Sequence, residues 1–365
     1  MLKRLYIDNF RSFVNFEYKP ERKQLLLGAN GSGKSSVLDA ILFVKWFITG
    51  LENDFTQKTR TRWNPRPHQI VELEADLEGK TFLYRLEIHY SPEEQLPSVK
   101  LERLTVSGVT VFEFADGEVH FFANDGNRVS NLRWKATESA LRLAQQSNAH
   151  VGRFLDWLDT VHCFQIDPYF EVMEERADTE DTLPEYNLSN LAPWYRHLLL
   201  VDPEGNVGFL SALRETLGDF QTLRFSQEDD GVRKLRADFL TQGTKKITLS
   251  LSELSEGQRM LIGLYMVLHF VIAKGQTVIL DEPDNFVSLR EIQPWLLEAE
   301  EAVEDHRAQL ILISHHPEIL NYWAKEFGLL FFREENGQVR AKPYGDVSDT
   351  GLDPAETIAR GWEDE

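Results

Sequence analysis

The sequence is short of several things, and each shortage removes a class of protein. One cysteine, Cys163, stands among 365 residues. No disulfide can form within the chain, which fits a reducing compartment. Its place in an apolar run reads as a small buried hydrophobe. No apolar run reaches the roughly 20 residues of a membrane span. The longest, Met260 to Ala273, is interrupted by Gly263 and His269 and is expected to be a buried helix. The N-terminus, Met1-Leu2-Lys3-Arg4-Leu5, leads into the charged Asp8 and Arg11 without the apolar core of a signal peptide, so a cytoplasmic protein without a membrane partner is expected. No heptad pattern is sustained and no repeat period is visible, which excludes long coiled-coil arms and solenoids. Positive charge is scarce as well: 39 Lys and Arg stand against 59 Asp and Glu, a net charge of −20. Such a surface repels nucleic acid on average and disfavours it as a partner, without excluding a local basic groove.

What the chain does have is Gly28-Ala29-Asn30-Gly31-Ser32-Gly33-Lys34-Ser35, followed by Ser36. It follows the apolar Gln24-Leu25-Leu26-Leu27 and precedes the apolar-periodic stretch from Val37 to Phe47. Strand, glycine-rich turn and helix are the setting that makes G-x-x-x-x-G-K-[ST] a phosphate site. The glycines let the backbone wrap an anion. The N–H groups of the loop and first helical turn then face phosphate oxygens, and the helix dipole favours the negative charge. Lys34 would reach the β- and γ-phosphates, and the Ser35 hydroxyl would ligate Mg²⁺. The expected ligand is a nucleoside triphosphate.

Around this motif the pattern predicts a mixed α/β chain. Leu2 to Asp8 and Phe16 to Pro20 read as strands flanking Asn9-Phe10-Arg11-Ser12-Phe13. Residues 50 to 69 read as a loop, the most basic stretch of the chain, with Lys58, Arg60, Arg62 and Arg66. Between Ile70 and Phe122, five short alternating segments turn at Glu78-Gly79-Lys80 and Ala115-Asp116-Gly117, an antiparallel β-subdomain inserted after the P-loop helix. Ser139 to Gln146 and Val151 to Thr160 read as helices, and Val161 to Ile166 as a strand carrying Gln165. Residues 169 to 225 read as helical, apart from an acidic, solvated or disordered loop from Glu171 to Glu185 and a turn at Asp202 to Asn206. Arg233 to Leu240 and Lys246 to Leu251 form a hairpin across Thr241 to Thr244. A helix from Glu291 to Asp305 and an edge hairpin, Phe327 to Phe332 with Gln338 to Lys342, complete the chain. Residues beyond about Val347 are expected to be loosely held. Three segments are expected: 1–168 with the P-loop and β-insertion, 169–248 as a helical lobe with a lid hairpin, and 249–365 with the remaining motifs.

Four apolar runs end in chemically loaded residues: at the P-loop, at Gln165, at Asp281-Glu282, and at Ser314-His315. Buried strands separated by helices imply a largely parallel sheet, and ligands sit at the carboxyl ends of such strands. Phosphoryl transfer needs a holder for Mg²⁺ and a group that positions or deprotonates water. Asp281 would serve the first need and Glu282 the second, while His315 would contact the γ-phosphate.

Leu254-Ser255-Glu256-Gly257-Gln258 resembles the LSGGQ signature of ABC-class P-loop ATPases, with Glu256 where the first paired glycine usually stands. Together with Asn9-Phe10-Arg11-Ser12-Phe13 and Asp281-Glu282-Pro283-Asp284-Asn285, the chain resembles the SMC/RecF/OLD-like branch over nearly its whole length. The resemblance implies that two chains pack head to tail around ATP and Mg²⁺. Ser255, Gly257 and Gln258 of one would then close on the γ-phosphate held by the other. It also implies that Gln165 is the Q-loop glutamine near Mg²⁺ and the water, and that Arg11 contacts nucleotide. The nucleotide-binding set is then Arg11, Gly28, Asn30, Gly31, Ser32, Gly33, Lys34, Ser35 and Ser36, with Ser35, Gln165 and Asp281 at the metal. Ser288 stands where transporter ATPases carry a D-loop aspartate, and too few residues follow His315 for a Toprim nuclease.

The leading expectation is an ATP-hydrolysing switch, a homodimer or higher oligomer, controlling a separate effector such as a nuclease or toxin. Small members of this branch resemble ATPase subunits of anti-phage defence modules. The alternatives are a DNA-repair ATPase that grips nucleic acid itself and a transporter's nucleotide-binding subunit.

Overall fold

The computed structural model describes residues 1–50, 59–90, 97–169, 171–227, 232–241, 245–346 and 353–359. The chain divides into two compact units: Met1–Val161 with Phe327–Ser348, and His162–Glu326 with Asp349–Glu365.

In the first unit an eight-stranded antiparallel sheet runs in the order Phe16–Tyr18, Leu2–Asp8, His68–Leu77, Lys80–His89, Ser98–Val106, Val109–Ala115, Glu118–Phe122, Arg128–Arg133. The antiparallel set expected after the P-loop helix is therefore continuous with the N-terminal strand, in the register Leu5↔Leu73. Period-two alternation puts Leu5 and Ile7, Val71 and Leu73, and Tyr84 and Leu86 on the buried side. Helix Ala149–Asp159 lies among them, its Phe154 ring stacked on Tyr84 at 5.5 Å. The last strand, Arg128–Arg133, carries no alternating signal. It is exposed along its whole length, and backbone pairing with Glu118–Phe122 makes it a strand. The same unit holds the P-loop strand Lys23–Leu27, parallel to Gly328–Arg333 with Leu330 opposite Leu27. The hairpin partner, Val339–Pro343, is antiparallel. Helix Lys34–Thr49 follows the P-loop and stops at Gly50, whose φ of 74° is the left-handed cap glycine supplies.

In the second unit the parallel neighbours Thr277–Asp281 and Gln309–Ile313 are buried at every residue, as parallel strands covered on both faces must be. Helix Glu256–Phe270 has eleven of its fifteen residues buried, as its all-round apolar sequence requires. The helical lobe is built from Leu191–Val201 and Pro203–Thr216, followed by the sheet Phe220–Gln227, Arg233–Thr241, Lys245–Ser250.

Several expectations need correcting. Asp202 does not open a free turn but caps helix Pro203–Thr216, accepting from Gly205 N–H at 3.0 Å, with proline at the first helical position. Helix gives way to strand at Phe220, because Gly218 and the left-handed Asp219 (φ 62°) turn the chain, and Phe220 and Leu223 then face inward. The acidic loop 171–185 is packed rather than loose: Met173 and Ala177 are buried, and Ala177 N–H donates to the Arg233 carbonyl at 2.9 Å. The strand carrying Gln165 ends one residue before it, at Phe164. Residues Pro354–Ala359 form a helix. Lys58, the turn residues Gln242 to Thr244 and the segments 347–352 and 360–365 lie outside the described residues.

Candidate nucleotide site

The P-loop belongs to the first unit. Gly28 has a φ of 132°, and a Cβ there would stand 2.1 Å from the Phe331 carbonyl oxygen, so the turn requires glycine twice over. At Gly33 (φ 105°) a Cβ would press on Ser12 Oγ and Val339 at 3.2 Å. The loop apex is tied down by a residue that sequence reasoning missed: Arg333 donates to the Gly31 carbonyl from Nε at 2.9 Å and from its terminal nitrogen at 2.6 Å. The parallel pairing of Leu330 with Leu27 is what brings Arg333 to that height.

Lys34 is buried, and its ammonium donates to the carbonyls of Gly28 at 2.7 Å and Ala29 at 3.1 Å. Ser32 Oγ is also buried and finds no hydrogen-bond partner among the described residues, as suits a hydroxyl built to meet an oxyanion. Asn30, Gly31 and Ser35 are exposed, while Ser36 is half-buried. Arg11 sits in the left-handed region (φ 49°) and ion-pairs with Asp39, on the second turn of the P-loop helix. Burial lifts the Asp39 carboxyl above its ordinary range, and the Arg11 guanidinium pulls it back down.

The other motifs lie in the second unit. Asp281 is buried at the end of its strand, directly opposite Ile313. Glu282 follows in the left-handed conformation (φ 51°), a strain of about 1 kcal/mol or more for a non-glycine residue. Its N–H donates to the Ile313 carbonyl at 2.8 Å, and its Oε2 accepts from Asn285 Nδ2 at 2.7 Å. The next turn is bound to the histidine strand, because Ser314 Oγ donates to Asp284 Oδ1 at 2.6 Å. Burial raises the Asp284 carboxyl above its usual range, and the Ser314 hydrogen bond opposes the rise. His315 follows on the exposed side.

Ser255 is exposed and caps helix Glu256–Phe270. In this capping box Gln258 N–H donates to Ser255 Oγ at 3.2 Å, and Ser255 N–H donates to Gln258 Oε1 at 3.0 Å. A Cβ on Gly257 would stand 2.7 Å from the Phe286 carbonyl oxygen, so the signature turn packs on the segment after Glu282. Arg259, only 2% exposed, donates to the carbonyls of Leu251 and Leu254 at 2.8 and 2.6 Å and also to that of Pro168. It thereby ties the signature turn to the segment that carries Gln165, itself exposed and held through its N–H to the Tyr186 carbonyl at 2.8 Å. Ser288 caps helix Leu289–His306, its Oγ donating to Glu291 at 2.6 Å.

Hard oxygen donors are the groups that suit Mg²⁺, and the Ser35 hydroxyl and Asp281 carboxylate are of that kind. Among the described residues no cluster of three His, Cys, Asp or Glu side chains could hold a metal alone. That is compatible with an ion bound mainly through phosphate and water.

The mixed α/β fold, with its P-loop, signature turn and strand-borne Asp-Glu, defines an ABC-class P-loop ATPase of the SMC-like type. The family model described as "AAA domain, putative AbiEii toxin, Type IV TA system" matches residues 25–321, and the chain belongs to that family. No curated protein matches the sequence. Among solved structures, the Smc head bound to the C-winged helix domain of ScpA aligns over 93% of this chain and 97% of its own, with a TM-score of 0.53 at 13% identity. The Smc head with an extended coiled coil bound to the C-terminal domain of ScpA, from Pyrococcus furiosus, aligns over 99% and 98%, with a TM-score of 0.51 at 12% identity. At these identities the likeness is one of fold. No helix among the described residues is long and apolar enough to cross a membrane.

Proposed function

We propose that the protein is an ATP-hydrolysing molecular switch that pairs head to tail with a second copy when ATP binds. In this reading it controls a separate effector, a nuclease or toxin, in anti-phage defence. The observation that carries the reading is the buried Lys34, held among the carbonyls of its own P-loop in a chain that also presents an exposed, helix-capping signature serine, Ser255.

In this reading Lys34 exchanges its loop carbonyls for β- and γ-phosphate oxygens, and the N–H groups of Gly31 to Ser36 cradle the phosphates. Ser35, Asp281 and Gln165 would be the residues that hold Mg²⁺, which would supply charge to neutralise the phosphates. Glu282 orients and deprotonates the attacking water, with Asn285 fixing its carboxylate. His315 donates to the γ-phosphate. Arg11 supports the nucleotide from beside the P-loop helix. Ser255, Gly257 and Gln258 complete the site of the opposite chain, because a capped helix start offers N–H donors to an oxyanion. The family's toxin–antitoxin description supports a partner effector, and the ScpA complex of a related head supports docking of another protein. The nucleotide part is tested by titrating a fluorescent ATP analogue. Lys34→Ala should lose about tenfold or more in affinity, since a buried charge-assisted contact disappears. Unchanged affinity in the folded variant would remove the P-loop from the reading.

A further inference from the structure

We infer that the turn 59–66 of the first unit binds single-stranded nucleic acid, with Trp63 stacking on a base and Arg62 meeting the adjoining phosphate. The inference does not depend on the proposed switch. The turn is built rather than loose. Asn9, fully buried beneath it, donates from Nδ2 to the carbonyls of Arg66 at 2.8 Å and His68 at 2.7 Å. Thr61, also fully buried, donates from its hydroxyl to the Phe13 carbonyl at 3.3 Å. Arg11 N–H donates to the Thr59 carbonyl at 2.6 Å. With the turn held from below by Asn9 Nδ2 and the Thr61 hydroxyl, the side chains left outward are Arg62, Trp63, Pro65 and Arg66.

Trp63 is 47% exposed. Of the four arginines around it, Asp39 takes Arg11 and Asp8 takes Arg66 at 2.8 Å. Arg60 lies over the Tyr90 ring at 5.6 Å. Arg60 and Arg62 pair with no carboxylate among the described residues, in a chain whose carboxylates outnumber its cations by twenty. Un-neutralised arginine on a fixed turn calls for an anion, and an indole beside it calls for a flat apolar face. An unstacked nucleotide offers both. A duplex hides the faces of its bases, so the indole would add nothing there. Trp and Arg also anchor protein interfaces, but such anchors need an apolar rim that excludes water. In the turn itself the exposed residues beside Trp63 are Arg62, Pro65 and Arg66, with His68 beyond, and a single proline among cations makes no such rim.

The test is fluorescence anisotropy at low salt with a labelled oligothymidylate of about 20 nucleotides, against the same length of duplex. Binding by the single strand should weaken about tenfold on Trp63→Ala and largely survive in Trp63→Phe. Arg62→Glu should weaken it and flatten the salt slope by about 0.7 for each phosphate that is no longer neutralised. Both variants should keep the wild-type affinity for the ATP analogue, which shows that they fold. Absent single-strand binding, an unaffected Trp63→Ala, a duplex bound at least as tightly, or equal displacement by polyglutamate would each overturn the inference.

Discussion

Ser314 and Asp284 are joined by a 2.6 Å hydrogen bond that ties the turn after the Asp-Glu pair to the residue before His315. Ser314 is fully buried, and the same oxygen accepts from His316 N–H at 2.9 Å. With Asn285 on Glu282, these contacts make one bonded framework of the loops at the ends of two parallel strands.

Asp284→Ala should therefore act on turnover and fold together. It leaves the buried Ser314 hydroxyl without its acceptor, a cost of about 1–3 kcal/mol. Phosphate release should fall about tenfold, because a misplaced reacting group is expensive even at small displacements. ATP-analogue affinity should hold, and Asp284→Asn, which still accepts at Oδ1, should recover most of the rate. Full turnover in Asp284→Ala would mean that the framework does not position Glu282 or His315.

Glu102 sets a second expectation. It is buried on the antiparallel sheet, accepting from Tyr84 at 2.9 Å and Ser139 at 2.6 Å, and burial pushes its carboxyl up from 4.5 to about 7. The folded value lies above the unfolded one, so the protonated form favours folding. The contribution is complete below about pH 4.5 and is lost as pH rises through about 7, a difference on the order of 3 kcal/mol. Glu102→Gln keeps both hydrogen bonds in kind and removes the titration. Urea denaturation between pH 5 and 8 should show stability falling with pH in the wild type, relative to a flatter Glu102→Gln profile. Parallel profiles would mean that Glu102 does not titrate in this range.

The same residues show what the sequence could and could not disclose. The P-loop is legible because its conformation is local: three glycines and one lysine fix the turn whatever surrounds them. Asp281-Glu282 is legible because the run Val278-Ile279-Leu280 before it reads as a buried strand. Arg259 is not. An arginine after a signature serine reads as a surface cation, and its burial depends on carbonyls of Pro168, Leu251 and Leu254, brought together only by folding. Arg333 is hidden for a similar reason, since only the parallel pairing with the P-loop strand brings it to Gly31. Glu102 is a charged residue on the apolar face of its strand, in line with Leu104 and Val106 and opposite Leu86. The hydroxyls of Tyr84 and Ser139 that satisfy it there come from distant parts of the chain, so its burial cannot be read from the strand alone. Trp63 carries no signal of its own within a basic loop, because exposure cannot be read from composition.

The remaining prediction concerns the shared site. Glu282→Gln keeps the side chain's size and its contact with Asn285 but removes the proposed base. ATP binding should survive while turnover falls by about two or more orders of magnitude, the usual worth of a general base. ATP then persists, and by mass action it should hold the head-to-tail pair closed. Ser255→Arg should do the reverse. Ser255 is exposed on its own chain and in the proposed pair would serve the neighbour's nucleotide, so single-chain binding should stay intact while the arginine blocks closure and hydrolysis. Mixing the two variants places both lesions in one composite site and leaves the other with neither, so a fraction of the turnover should return. Light scattering with ATP reports the mass of each variant, and phosphate release reports the rate. Sharing between chains would be refuted by a Glu282→Gln protein that stays monomeric with ATP, or by a Ser255→Arg protein that hydrolyses normally. Either outcome would leave the P-loop chemistry standing and confine it to one chain.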